Sequence, residues 1–95
     1  VSKINTAAKG RRLEHKTIRR LELQGYDCTR SAASKGKWDI IAIGENGIKL
    51  VQVKANRPPG PKECREMRQA SVPHNATKEY WVWKDNAREP IIKVF

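Results

Sequence analysis

The sequence predicts a small α+β or α/β domain built on a mixed β-sheet, with elements in the order α-β-β-β-α-β-β. Three observations carry this. The chain opens on a segment of helical periodicity, with Ala7, Gly10, Thr17, Ile18, Leu21 and Gly25 on one stripe. Two apolar runs, Trp38–Ile43 and Ile48–Lys54, flank the turn Gly44-Glu45-Asn46-Gly47. A second helical segment opened by Pro61 then precedes two more strand-like runs.

Each element has its own signal. Asn5 or Thr6 can cap the first helix, which runs to about Gln24 and stops at Gly25. Tyr26–Arg30 reads as a short strand, and Ser31–Lys37 as a polar loop of small residues. Trp38–Ile43 is nearly continuous in apolar residues and reads as a buried strand; Ile48–Lys54 returns beside it. Asn56–Pro61 holds three prolines and a glycine, which breaks the chain before a helix from Pro61 to about Ser71. Glu79–Lys84 and Pro90–Phe95 are the last strands, joined at Asp85-Asn86. Cys64 and Met67, at helical spacing, are assigned to the core. Trp81 and Trp83, alternating with Tyr80, Val82 and Lys84, are assigned to core or interface in preference to base stacking.

Ninety-five residues suffice for one domain, so any catalytic site shares its surface with any binding face. Twenty Lys and Arg against ten Asp and Glu give a net charge of +10. The excess is spread along the chain and not gathered in a tail, which points to a polyanion partner, nucleic acid foremost. A membrane partner is disfavoured, since no long apolar run and no basic helix with a broad aromatic face is present. No secretory apolar segment opens the sequence. Cys28 and Cys64 are too few and too scattered for a disulfide framework or a zinc site, and the expected compartment is the reducing cytoplasm. His15 and His74 are far apart, and His74-Asn75 lacks the partners of a His/Asn nuclease site.

Two local patterns bring chemistry together. Glu14 lies in the middle of the apolar stripe of the first helix, where a carboxylate is costly unless a positive group or a metal meets it. In the hairpin, the turn pairs Ile43 with Ile48 and sets Asp39 opposite Gln52, with Lys54 on the face of Gln52. Ile41 and Leu50 lie deeper on that face, so the hairpin is apolar with a polar mouth. If the first helix covers this face, Glu14 reaches the same mouth. Acidic groups, an amide oxygen and a lysine converging on one point suit phosphodiester hydrolysis. The oxygens bind Mg²⁺, and the lysine orients water or offsets charge in the transition state. The competing reading is a structural Asp39–Lys54 ion pair.

Taken in order, Lys9-Gly10-x-x-x-Glu14, Gly25-Tyr26, Arg30-x-x-x-Ser34, Trp38-Asp39-Ile40-Ile41-Ala42 and Val51-Gln52-Val53-Lys54 resemble the PD-(D/E)XK nucleases. Within that superfamily the set is most similar to archaeal-type Holliday junction resolvases. The match spans about residues 9–54. The resemblance implies a restriction-endonuclease-like fold, a central mixed sheet flanked by helices. It also implies Mg²⁺-dependent DNA cleavage, with Mn²⁺ as a substitute, and a homodimer. It places metal binding on Asp39 and Gln52, with Glu14 as an additional acidic group, and makes Lys54 the catalytic lysine. Ser34 matches a loop serine near the scissile phosphate, and Arg11, Arg12, Arg30, Lys35 and Lys37 would contact phosphates. One position departs: the usual acid two residues before the lysine is Gln52, which removes one negative charge. Some branches of the superfamily, a homing-endonuclease branch among them, also carry Gln there.

The expected function is therefore a metal-dependent endonuclease acting on branched DNA, a four-way junction above all. The rivals are a sequence-specific restriction or homing-type endonuclease, and a DNA-binding relative that no longer cleaves.

Overall fold

The computed structural model describes residues 6–30 and 38–95, with side chains from residue 9 onward. The expected loop Ser31–Lys37 lies outside the described residues. The elements are α1 (Thr6–Leu23), β1 (Asp27–Arg30), β2 (Ile40–Gly44), β3 (Gly47–Ala55), α2 (Pro61–Gln69), β4 (Ala76–Trp83) and β5 (Ile91–Val94). This is the order the sequence predicts. One five-stranded sheet has the spatial order β1-β2-β3-β4-β5. All neighbours are antiparallel except β3 and β4, which run parallel through the α2 crossover, so the sheet is mixed.

Local chemistry explains the boundaries. Gly25 adopts φ +96° and closes α1. Its N–H donates to Glu22 O at 3.0 Å and the Tyr26 N–H donates to Leu21 O at 3.1 Å, the paired bonds of a Schellman cap. The β2–β3 hairpin has the register read from its turn, with Ile43 opposite Ile48 and Ile41 opposite Leu50. Gly44 is needed there because a Cβ would stand 2.7 Å from the Tyr26 ring. β4 begins at Ala76, three residues before the expected start. Ala76, Thr77 and Lys78 are not strand formers by apolar pattern. Their pairing with Ile48, Lys49 and Leu50 of β3 extends the strand.

The sheet is covered on two faces. On one, α1 buries Leu21 and Thr17 against Ile40, Ala42, Val51, Val53, Trp81 and Trp83. On the other, Met67 of α2 packs with Tyr80 and Val82, flanked by Trp38 and Phe95. β4 is buried on both faces, as a central strand should be. Trp81 and Trp83 are core residues, each with its indole N–H satisfied: Trp81 Nε1 donates to Glu79 Oε1 at 2.9 Å, and Trp83 Nε1 to Thr17 Oγ1 at 2.8 Å. Glu79 is itself buried, and Thr77 and Lys49 complete its partners. Cys64 and Met67 are buried as expected; Cys28 is half-buried, and burial pushes its thiol pKa up, with Glu22 and Asp27 adding to the effect. The outer strand β5 exposes Ile91, Ile92 and Val94.

One expectation is corrected. The first helix does not cover the Ile41–Leu50 face. It covers the opposite one, and α2 takes the side of Leu50, Gln52 and Tyr80. The hairpin is apolar on both faces, so its pattern does not choose between them. Among the described residues, no helix is long and apolar enough to cross a membrane.

Candidate active site

Asp39 sits just beyond the end of β2. Ladder pairing stops at Ile40↔Val51, and the Asp39 N–H donates instead to Val51 O at 2.9 Å. The Asp39 carboxylate then accepts the Val53 N–H through Oδ2, also at 2.9 Å. A side chain thus replaces the backbone acceptor that β2 no longer supplies. This fixes the Asp39 carboxylate against the residue that separates Gln52 from Lys54. The sequence places Asp39 opposite Gln52; the structure keeps that proximity but makes the contact through the β3 backbone.

Gln52 stands in register with Tyr80 of β4. With Lys54, Glu63, Glu66 and Met67 it lines a cavity of about 180 Å³ under α2. Lys54 is exposed and also borders a larger groove on the α1 side. Two carboxylates of this cavity, Glu63 and Glu66, were not foreseen. Glu63 accepts the Tyr80 hydroxyl at 3.1 Å through Oε2 and the Gly60 N–H at 3.3 Å through Oε1. The latter bond is the capping-box contact of a helix opened by Gly60-Pro61. Burial raises the Tyr80 pKa well above the usual phenol range; the Glu63 hydrogen bond and charge, Cys64 and Asp39 reinforce it. Tyr80 therefore stays protonated and holds Glu63 in place. The signal for these two acids is in the sequence: Glu63, Glu66 and Met67 share one face of the second helix, and Met67 marks that face as inward.

Glu14 turns toward the sheet, with its side chain only 20 % exposed, and its Oε1 accepts from Arg30 Nε at 2.8 Å. Arg30 ends β1 opposite Ile40, beside the end of the sheet where Asp39 lies. Glu14 and the Gln52–Lys54 pair therefore approach that end from opposite faces, and the carboxylate that was expected to meet Asp39 and Lys54 is joined to Arg30. Arg11 and Arg12 are exposed on α1. Lys9 and Arg20 are drawn into ion pairs with Asp85 and Glu89. Ser34, Lys35 and Lys37 lie outside the described residues.

The donor chemistry can be tested against the metal that the resemblance implies. Among the described residues, no three His, Cys, Asp or Glu side chains gather into a metal cluster. The oxygens at hand are the Asp39 carboxylate and the Gln52 amide, with Glu63 and Glu66 on the α2 side of the cavity. Such a set fits Mg²⁺, which takes hard oxygen ligands, needs few carboxylates and keeps water or phosphate in the remaining positions. It does not fit Zn²⁺, which prefers a closed set of nitrogen and sulfur ligands.

No protein-family model matches the chain, and a search of curated protein sequences finds no match. Solved structures do match. The fold is that of the archaeal-type resolvases, as the sequence resemblance implied. One example is Hjc of Archaeoglobus fulgidus, a Holliday junction resolvase from an archaeal hyperthermophile. The likeness covers 92 % of this chain and 71 % of that protein, with a TM-score of 0.68 and 19 % sequence identity.

Proposed function

We propose that this chain is a Mg²⁺-dependent DNA endonuclease that cuts branched duplexes, four-way junctions foremost, and acts as a homodimer. The observation that carries the proposal is the Asp39 carboxylate held on the Val53 N–H, between Gln52 and Lys54, at the open end of a resolvase-like sheet. The net charge of +10 supports a polyanionic substrate. A junction offers two strands to cut in related geometry, and a two-fold dimer offers two sites.

In this reading the Asp39 carboxylate and the Gln52 carbonyl oxygen would hold Mg²⁺, and the Val53 N–H keeps Asp39 oriented. The bound metal would polarise the scissile phosphate and favour hydroxide at neutral pH. Lys54 donates toward the phosphate or the attacking water and offsets charge as it develops. Glu63 and Glu66 add negative potential beside Gln52, which partly restores the charge lost with the missing strand acid. Glu14 positions Arg30 for a phosphate, and Arg11 and Arg12 contact the backbone farther along the duplex. Ser34, Lys35 and Lys37, outside the described residues, keep the roles the resemblance implies: Ser34 near the scissile phosphate, Lys35 and Lys37 as phosphate contacts.

Gln52 and the absence of a three-acid cluster among the described residues favour one second reading, a DNA-binding relative that does not cleave. Incubation of the protein with a labelled four-way junction, with and without Mg²⁺, decides between them. Symmetric strand cuts that need Mg²⁺ support the nuclease. Retarded but intact DNA in both Mg²⁺ and Mn²⁺ supports the binding protein.

A further inference from the structure

We infer that the groove between the N-terminal half of α1 and the end of β3 seats one unstacked nucleotide of the DNA substrate, next to the phosphate held at Lys54. The inference rests on the nuclease reading and goes beyond it, since nothing in that reading requires such a seat.

The groove has a volume of about 550 Å³, within the roughly 300–1,000 Å³ common for small-molecule sites. Leu13, Val53 and Ala55 give it an apolar floor, while Lys9, Lys54, Asn56 and Arg57 line its polar side. Lys54 borders both this groove and the smaller cavity that contains Gln52. A phosphate at Lys54 therefore has its neighbouring sugar and base beside the groove. Lys9 is already paired with Asp85, but among the described residues neither Lys54 nor Arg57 is in an ion pair. Lys54 leaves β3 on the opposite face from Val53 and Ala55 and meets the groove at its edge, while Arg57 lines it directly; a cation beside an apolar floor complements a nucleotide, which has an anionic end and a flat apolar body.

Two local features hold the groove open. Gly10 lies in the interior of α1, where glycine weakens a helix, and a Cβ there would meet nothing within 4 Å. No packing contact explains it, and Gly10 borders the groove. Asn56 adopts φ +65°, and three bonds tie it to the end of β4. Its N–H donates to Trp83 O at 2.9 Å, its carbonyl accepts from Lys84 Nζ at 3.0 Å, and its Oδ1 accepts from the Asp85 N–H at 2.8 Å. That fixed turn directs the chain so that Arg57 lines the groove beside Lys54. A base within continuous duplex resists leaving its stack, whereas one at a branch point has already lost part of its stacking. The seat thus favours branched over linear DNA.

The test uses a four-way junction with 2-aminopurine at the crossover, in EDTA so that no strand is cut. Saturating parent protein should raise the fluorescence several-fold as the base unstacks. Gly10→Leu fills the groove and improves helix propensity, so its thermal midpoint should be no lower than the parent's. It should still bind the junction but give no fluorescence rise, with junction affinity reduced to that for linear duplex. Binding by the parent with unchanged fluorescence, or an equal rise with Gly10→Leu, overturns the inference and leaves the nuclease reading intact. Failure of the parent to bind any DNA overturns both.

Discussion

Asp39 closes the end of the β2–β3 hairpin and also supplies charge, and two substitutions separate these roles. Asp39→Asn keeps an oxygen that can accept the Val53 N–H, now 2.9 Å from Oδ2, but removes the charge. A hydrogen bond to a charged group contributes about 1.5–3 kcal/mol and a neutral one about 0.5–1.5, so the loss is about 1 kcal/mol. In a domain of this size that lowers the thermal midpoint by roughly 4–8 °C. Asp39→Ala removes the acceptor altogether. Water replaces part of it, since Asp39 is half-exposed, and the cost is about 2 kcal/mol. DNA binding without metal should move the other way. A carboxylate on the order of 6 Å from a phosphate, in water, repels it by about 0.7 kcal/mol, so Asp39→Asn should bind a junction about threefold more tightly in EDTA. Urea melts and fluorescence anisotropy at one fixed salt concentration measure both effects. Weaker binding by Asp39→Asn would refute the placement of this carboxylate against the phosphate. An equal loss of stability in the two variants would refute the role of Oδ2 as an acceptor.

Gln52→Ala removes the proposed oxygen ligand and should lose most activity at every Mg²⁺ concentration, whereas Gln52→Glu should bind Mg²⁺ more tightly and stay active; cleavage rate against Mg²⁺ concentration for the three proteins reads this. If Gln52→Ala cuts like the parent throughout, Gln52 is not a ligand. Binding should weaken steeply with salt, and replacing Arg11 and Arg12 by Ala should reduce the slope of log affinity against log salt by about two; a flat dependence for the parent would exclude a phosphate-binding surface. Thr17→Val leaves the buried Trp83 indole N–H without its acceptor and should cost about 1–3 kcal/mol by urea melt, while a neutral change would deny the 2.8 Å bond any weight.

The hairpin was legible in the sequence because Gly44 and Gly47 bracket a two-residue turn, and the turn alone sets the register from Ile43↔Ile48 down to Ile40↔Val51. The stop of α1 and the start of α2 were legible for the same kind of reason: Gly25 and Pro61 act through their own backbones, whereas α2 ends at Gln69, short of the expected Ser71. The face that α1 covers was not. Ile40, Ala42, Val51 and Val53 compete with Ile41, Ile43 and Leu50, and only the assembled sheet, with Trp81 and Trp83 added to the first set, decides. That choice determines where Glu14 goes, which is why its partner is Arg30. The early start of β4 was hidden because Ala76–Lys78 are held by β3 and not by their own propensity. That Asp39, Gln52 and Lys54 lie near one another was legible because they are close along one hairpin; Glu63 and Glu66 join Gln52 and Lys54 only through the parallel crossover, which local pattern does not show.

Cleavage by the parent and by Lys54→Ala tests the central claim most directly. Each protein is incubated with a four-way junction and with linear duplex of the same sequence, in Mg²⁺ and in EDTA. The parent should cut the junction in Mg²⁺ and leave the linear duplex largely intact. Lys54→Ala should bind the junction and leave it whole. Cleavage by Lys54→Ala at the parent's rate, or a parent that binds the junction in Mg²⁺ and never cuts it, would contradict the assignment.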